Sequence, residues 1–237
     1  MVARVGLIIP SSNRMVEQEM VRFFPENVVP HITRLRMTGS NRKTISDLLP
    51  EVEAAAAALA DAKCNVIVFH CTANSMSEGS AGEARLLETI KKAGAPRMAT
   101  TSTAIVEALR ALQAKSVSLV TPYDQKATDH EVHFLEERGF RVPYAKGWAL
   151  GGSDAYCSTL PQAWLERMME TGGCGAQATF LSCANVQGIA IVDEVERKLG
   201  VPMITSNQAV IFESLRQLGW QGNKRPPGQV FDTLRSS

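Results

Sequence analysis

At 237 residues the chain is long enough for one large domain or two compact lobes, and 45% hydrophobic with 21% charged residues is the balance of a globular protein with a buried core. Twenty-five basic against twenty-four acidic side chains leave a formal charge of +1, which gives no overall attraction to nucleic acid or to an anionic membrane. No window reaches the roughly 20 apolar residues of a membrane span, and the N-terminus runs directly into a strand pattern rather than a signal peptide. The cytoplasm is therefore the expected compartment, where five irregularly spaced cysteines with no CxxC pair are expected to be free thiols rather than disulfides or zinc ligands.

In chain order, Val5 to Pro10 is an apolar strand ending in Pro10-Ser-Ser-Asn13, followed by helical spacing over Met15 to Phe24. Val28 to Met37 alternates as a half-buried strand does, and Thr38 to Lys43 is a polar loop. The Ala- and Leu-rich stretch Ser46 to Ala62 predicts a helix. Cys64 to His70 is a buried strand, Ser80 to Ala93 a helix closed by Gly94, Met98 to Thr100 a short strand, and Thr103 to Leu112 a helix. The order then recurs. Val117 to Thr121 is a strand, Lys126 to Arg138 a helix, Arg141 to Trp148 a strand, and Gly151 to Thr159 a flexible loop before the helix Pro161 to Glu170. Ala178 to Ser182 is a second central strand, Ile189 to Leu199 a helix closed by Gly200, Pro202 to Thr205 a strand and Ala209 to Leu218 a helix, with Gly222 to Gly228 a tail loop.

The recurrence has a register. Asn65-Val-Ile-Val-Phe-His-Cys-Thr-Ala-Asn-Ser-Met76 matches Ala178-Thr-Phe-Leu-Ser-Cys-Ala-Asn-Val-Gln187, and Pro10 to Cys71 and Pro122 to Cys183 are both 61 residues apart (71 − 10 and 183 − 122). Thr101-Ser102 likewise answers Thr205-Ser206. Three matches in one order point to a duplication. Alternating strands and helices predict an α/β fold of two pseudosymmetric lobes, each a mainly parallel sheet flanked by helices. The lobes are assigned as 1–100 with 207–237, and 101–206. Ligands of such sheets sit beyond the carboxyl ends of the strands, so the active site is expected in the cleft between the lobes, with one cysteine from each.

A single strand-end cysteine is most often a buried structural residue. Two at equivalent points, each followed by small polar residues where a helix start can lower a thiol pKa, make Cys71 and Cys183 a candidate catalytic pair. Cys64, Cys157 and Cys174 are read as structural. Asn13 is either a helix cap or a ligand contact, and Tyr123 either packs or presents its hydroxyl to the cleft. Ser11, Ser12, Thr72, Asn74, Ser182 and Asn185 add strand-end donors suited to a carboxylate. Phosphate is disfavoured, since neither GxGxxG nor GxxxxGK[ST] occurs. His70 precedes Cys71 and, facing the other way along the strand, is read as core. His130 and His133 are read as surface residues rather than metal ligands.

Ile8-Ile-Pro-Ser-Ser-Asn13 with Glu17, Cys71-Thr72 with Ser75, Thr121-Pro-Tyr123 and Leu181-Ser-Cys-Ala-Asn185 together resemble the maleate cis-trans isomerase and arylmalonate decarboxylase family of the aspartate/glutamate racemase superfamily, from Val5 to about Leu218. The resemblance implies no cofactor, no metal, a small carboxylate substrate and a homo-oligomer. It casts Cys71 as nucleophile, Cys183 as acid/base cysteine, Asn13 as carboxylate ligand and Tyr123 as an active-site tyrosine; Ser12, Thr72, Ser182 and Ala184 are expected as further substrate contacts from their strand-end places. The decarboxylases carry Gly at the first cysteine position, and this chain does not. Asp154 stands in the loop where the isomerases have a further asparagine; it cannot donate as Asn does, and its charge would repel a dianion unless it points away. The expected activity is cis-trans isomerisation of a small unsaturated dicarboxylate, maleate or a close analogue. A two-cysteine racemase, an arylmalonate decarboxylase-like enzyme and a non-catalytic carboxylate-binding protein are the alternatives.

Overall fold

A computed structural model describes residues 2–37, 43–171, 174–222 and 226–235. Most of the polar loop expected over Thr38 to Lys43, and the middle of the tail loop expected over Gly222 to Gly228, lie outside the described residues.

The strands form two four-stranded parallel sheets. The first contains β1 (Ala3–Pro10), β2 (Val28–Leu35), β3 (Val66–Phe69) and β4 (Met98–Thr100) in the order β2-β1-β3-β4. The second contains β5 (Val117–Thr121), β6 (Ala145–Gly147), β7 (Ala178–Leu181) and β8 (Met203–Thr205) in the order β6-β5-β7-β8. The two orders are the same one repeated, and the registers of Leu7 with Val68 and of Leu119 with Phe180 put the cysteine-bearing strand beside the first strand in both. β3 and β7 are buried at every position, which is why their sequences run apolar without alternation. Each such Val, Ile, Leu or Phe contributes about 1.5–3 kcal/mol on burial.

Helices α1 (Val16–Phe23), α2 (Ile45–Asp61) and α4 (Gly79–Lys92) cover the first sheet, and α6 (Gln125–Glu137), α8 (Pro161–Glu170) and α9 (Val192–Leu199) the second. Between the sheets, α5 (Thr101–Ala111) packs on α10 (Ser206–Leu218). One apolar cluster runs from Leu7 and Val68 through Ile105 and Phe212 to Leu119 and Phe180, so the two sheets share an interior. Each of these central helices begins directly at a strand end. Thr100 and Thr205 accept hydrogen bonds from Thr103 N–H (3.0 Å) and Gln208 N–H (3.1 Å), and these caps start α5 two residues and α10 three residues earlier than hydrophobic spacing alone suggests.

Other departures have equally local causes. The strand expected over Arg141 to Trp148 contracts to Ala145–Gly147 plus a lone bridge from Ser116 to Arg141, because Pro143 removes a ladder donor. The loop expected over Gly151 to Thr159 contains a short helix, α7 (Ser153–Ser158). Another short helix, α3 (Thr72–Met76), follows Cys71 directly. The helix expected from Ile189 opens with a 3-10 turn, Ile189–Ile191, before α9, and the tail ends in a 3-10 segment, Gln229–Arg235. Among the described residues no helix is long and apolar enough to cross a membrane.

Candidate active site

The carboxyl ends of β1, β3, β5 and β7 converge on a cavity of about 110 Å³. Cys71, Thr72, Ala73 and Asn74 enter it from the first sheet together with Ser12, Asn13 and Met37; Tyr123, Ser153, Tyr156, Cys183, Ala184 and Asn185 enter it from the second. Among the described residues, none of those lining it carries a charge.

The two cysteines sit on unlike backbone. Cys71 is extended (φ −146°, ψ 106°), caps α3 and is partly exposed, its Sγ–H donating to Asn74 Oδ1 at 3.4 Å. Thr72, Ala73 and Asn74 line the cavity and form the first turn of α3, whose N–H groups have no carbonyl of their own helix one turn back and so suit an oxyanion. Cys183 is buried and left-handed at φ 96°, a conformation that disfavours a side chain and persists only where its surroundings hold it. Three bonds do so. The Cys183 N–H donates to Ser206 Oγ at 3.1 Å, while the Ala184 carbonyl accepts from Asn13 Nδ2 at 3.0 Å and from Asn207 Nδ2 at 3.2 Å.

Burial pushes the Cys183 thiol up to about 12, although hydrogen bonds from the Tyr123 hydroxyl and the Asn185 N–H (3.4 Å) pull the other way. At neutral pH Cys183 is a thiol with a proton to give. Burial also raises the Tyr123 phenol well above its ordinary range, and the neighbouring Cys183 adds to the effect, so Tyr123 keeps its proton. Tyr156 meets the Tyr123 ring edge-on at 5.7 Å between centroids.

Ser206 ties the halves together: its Oγ accepts from Thr72 Oγ1 at 2.9 Å as well as from Cys183 N–H. Asn13 does the same from the other side. Its Oδ1 accepts from the N–H groups of Met15 and Val16, both at 3.0 Å, while its Nδ2 reaches Ala184, so it at once holds the backbone leading into α1 and bridges the sheets. Arg14 N–H donates to Asn185 Oδ1 at 2.8 Å, and Asn185 Nδ2 donates to the Ser153 carbonyl at 3.1 Å. Ser153 Oγ then reaches Ser12 Oγ at 3.1 Å, and Ser12 Oγ reaches the Met37 carbonyl at 3.2 Å.

Of the residues singled out in the sequence, Ser11 turns to the Met37 carbonyl, while Ser12, Asn13, Cys71, Thr72, Asn74, Tyr123, Cys183, Ala184 and Asn185 line the cavity. Ser182 does not. Alternation along β7 turns it to the opposite face, where it is fully buried and its hydroxyl has no hydrogen-bond partner among the described residues. His70 lies in the core behind Cys71, lowered to about 4 by burial. Asp154 points away, exposed and paired with Arg14, so the repulsion of a dianion expected of an inward carboxylate does not arise. His130 and His133 are exposed, with His133 beside Glu137. Cys64 is buried, Cys157 half-buried and Cys174 exposed.

Sequence reasoning missed Met37, Ser153 and Tyr156 in the wall, and Ser206 and Asn207 beneath it. Thr205-Ser206 was visible as the counterpart of Thr101-Ser102, and that repeat was the available signal for the last two.

A family profile described as arylmalonate decarboxylase matches residues 5–231. Maleate isomerase of Pseudomonas putida is 27% identical over 232 residues, 91% of each chain, and arylmalonate decarboxylase of Bordetella bronchiseptica is 26% identical over 232 residues, 96% of each. Among solved structures, a variant of the Nocardia farcinica maleate cis-trans isomerase with a covalently bound succinylcysteine intermediate superposes with a TM-score of 0.87 at 24% identity, over 100% of both chains. With 227 of its 237 residues inside the profile (5 to 231 inclusive), the chain belongs to the arylmalonate decarboxylase family.

Proposed function

We propose that this protein is a cysteine-based isomerase that interconverts the cis and trans forms of a small unsaturated dicarboxylate, maleate or a close analogue, without a cofactor. The observation that carries the reading is the chemical inequivalence of two thiols on one cavity. Cys71 is partly exposed at the start of α3, whereas Cys183 is buried and held protonated. A two-base racemase exchanges the thiol and thiolate roles between its cysteines from one enantiomer to the other, and a pair so unequally exposed favours one fixed nucleophile and one fixed acid instead.

Cys71, having lost its proton to solvent, adds through sulfur to one alkene carbon, and the alkene electron pair moves to the other carbon and its carboxylate. The α3 N–H groups and the free hydrogen of Asn13 Nδ2 stabilise the charge that develops there. Cys183 gives its proton to that carbon, leaving a thioether. Rotation about the new single bond follows. The Cys183 thiolate then takes back a proton, the C–S bond breaks, and the trans alkene leaves. Tyr123 holds Cys183 and stabilises the thiolate form through its hydroxyl. The succinylcysteine covalently bound in the Nocardia farcinica isomerase is the counterpart of this thioether.

The test combines intact-protein mass with proton NMR. Cys183→Ser is expected to accumulate an adduct of one maleate on Cys71, and Cys71→Ala to show neither adduct nor fumarate. Turnover surviving Cys71→Ala would refute addition. Carbon dioxide release from an arylmalonate by the wild type, without maleate turnover, would replace the reading with decarboxylation driven by Cys183 alone.

A further inference from the structure

A buried chain of hydrogen bonds runs beneath both cysteine loops and takes no part in the chemistry above. Glu19, buried on α1, accepts through Oε2 from Asn207 Nδ2 at 2.5 Å and through Oε1 from the Ile189 N–H at 3.4 Å. Asn207, in the first turn of α10, gives its other amide hydrogen to the carbonyl of Ala184, the residue after Cys183. With both hydrogens committed, its Oδ1 accepts from His70 Nε2 at 2.8 Å, and His70 Nδ1 is left to accept from the Thr101 hydroxyl at 2.9 Å, which the Phe69 carbonyl shares at 3.3 Å. His70 is the residue before Cys71. One amide therefore fixes a neighbour of each cysteine.

The orientation of that amide depends on what Glu19 presents. A carboxylate accepts only, so it demands the NH₂ edge of Asn207. A carboxylic acid has an O–H to donate, and a turned-over Asn207 accepts it through Oδ1 while offering NH₂ to His70. In that arrangement the Ala184 carbonyl loses the Asn207 donor and the left-handed Cys183 turn loses one of its three holding bonds. We propose that Glu19 is a positioning residue whose proton selects the orientation of the Asn207 amide, and through it the seating of the Cys183 turn and the Cys71 loop.

The surroundings let this proton move near neutrality. Burial drives the Glu19 carboxyl up to about 7, against the hydrogen bonds from Asn207 and Ile189 and the positive charge of Arg22 on the same helix. His70, the other titratable group in the chain of hydrogen bonds, is held neutral. The charged residues of neighbouring elements are engaged elsewhere: Arg34 of β2 holds Glu17 at 2.7 Å, and Glu213 of α10 holds Arg216 at 2.7 Å. The 3-10 turn offers Glu19 only a backbone N–H.

The experiment is an NMR titration of the full-length wild type labelled at Glu carboxyl carbon and at nitrogen, from about pH 5.5 to 8.5. Glu19 is assigned by the resonance missing from Glu19→Gln. The expected result is a Glu19 transition near neutrality that the Asn207 NH₂ pair and the Cys71 and Ala184 amides follow with the same midpoint, all three becoming flat in Glu19→Gln. Maleate turnover is expected to change about tenfold across the same window in the wild type and to lose that inflection in Glu19→Gln. Asn207 and Ala184 signals that stay flat while Glu19 titrates overturn the proposal, as does a transition retained in Glu19→Gln. Where the variant folds poorly, Glu19 is assigned in the wild type by through-bond correlation to its own backbone amide, and the wild-type titration decides. The effect on turnover rests on the two-cysteine reading: coupled NMR transitions without maleate turnover would leave the proposal standing and sink that reading alone.

Discussion

Replacing Asn13 by Asp separates the two jobs this side chain holds. The carboxylate keeps an oxygen for the N–H groups of Met15 and Val16, and a negative group at the start of α1 is favoured by about 0.3–1 kcal/mol. It loses the hydrogen that reaches Ala184. One such bond is worth about 1 kcal/mol net, the Ala184 carbonyl keeps the Asn207 donor, and burying a carboxylate oxygen against that carbonyl adds a cost that outweighs the gain at α1, so Asn13→Asp is expected to lose about 1–2 kcal/mol in urea unfolding. Asn13→Ala loses all three bonds and is expected to lose about 3 kcal/mol. Turnover should reverse that order. A new carboxylate about 4 Å from a bound substrate carboxylate costs about 4 kcal/mol at an effective dielectric constant of about 20, or roughly a thousandfold in kcat/KM, whereas Ala forfeits one donor and roughly tenfold. Urea melts and maleate kinetics on both variants decide it. Asn13→Asp with wild-type turnover, or Asn13→Ala as stable as Asn13→Asp, refutes the dual role.

Acid stability offers a second check. His70 is lowered from 6.5 to about 4, so its contribution is present above about pH 6.5 and lost as pH falls through about 4; Glu19, raised from 4.5 to about 7, contributes below about 4.5 and loses it as pH rises through about 7. Between about pH 4.5 and 6.5 the two slopes cancel, and Glu19→Gln should uncover a loss of about 3 kcal/mol on acidification that the wild type lacks; parallel stability curves would refute the assignment. Tyr123→Phe removes a bond that lowers the Cys183 pKa and should slow turnover about a hundredfold while leaving rapid-quench adduct formation on Cys71 intact. Ser182→Ala should leave stability unchanged or raise it by about 1 kcal/mol, with turnover within about twofold, because the deleted hydroxyl bonds nothing among the described residues. A larger fall in kcat returns Ser182 to the site.

Both parallel sheets and the pairing of Cys71 with Cys183 were legible because they follow from periodicity and from a repeat kept in register over 61 residues. Pattern reading faltered where a single group decides the backbone. Thr100 and Thr205 start helices early through one side-chain oxygen, and Pro143 trims a strand by lacking one hydrogen. Ser182 was drawn into the expected site by its place beside Cys183, although strand alternation, applied to His70, applied to it equally. Met37, Ser153 and Tyr156 carried no signal, since they reach the cavity by way of loops and the short helix α7. Glu19 reads in the sequence as one of two acidic residues, with Glu17, in the early turns of a helix, which is ordinary; its burial arises only when α10 arrives, 188 residues later.

That distance has a consequence for synthesis. Thr72 waits for Ser206, Asn13 for Ala184 and Glu19 for Asn207, contacts spanning 134, 171 and 188 residues. A nascent polypeptide emerging from the ribosome carries both sulfurs before α10 exists to secure them. Competence therefore arrives late, and a chain interrupted before that helix would display thiols without the Ser206 and Asn207 contacts that secure them.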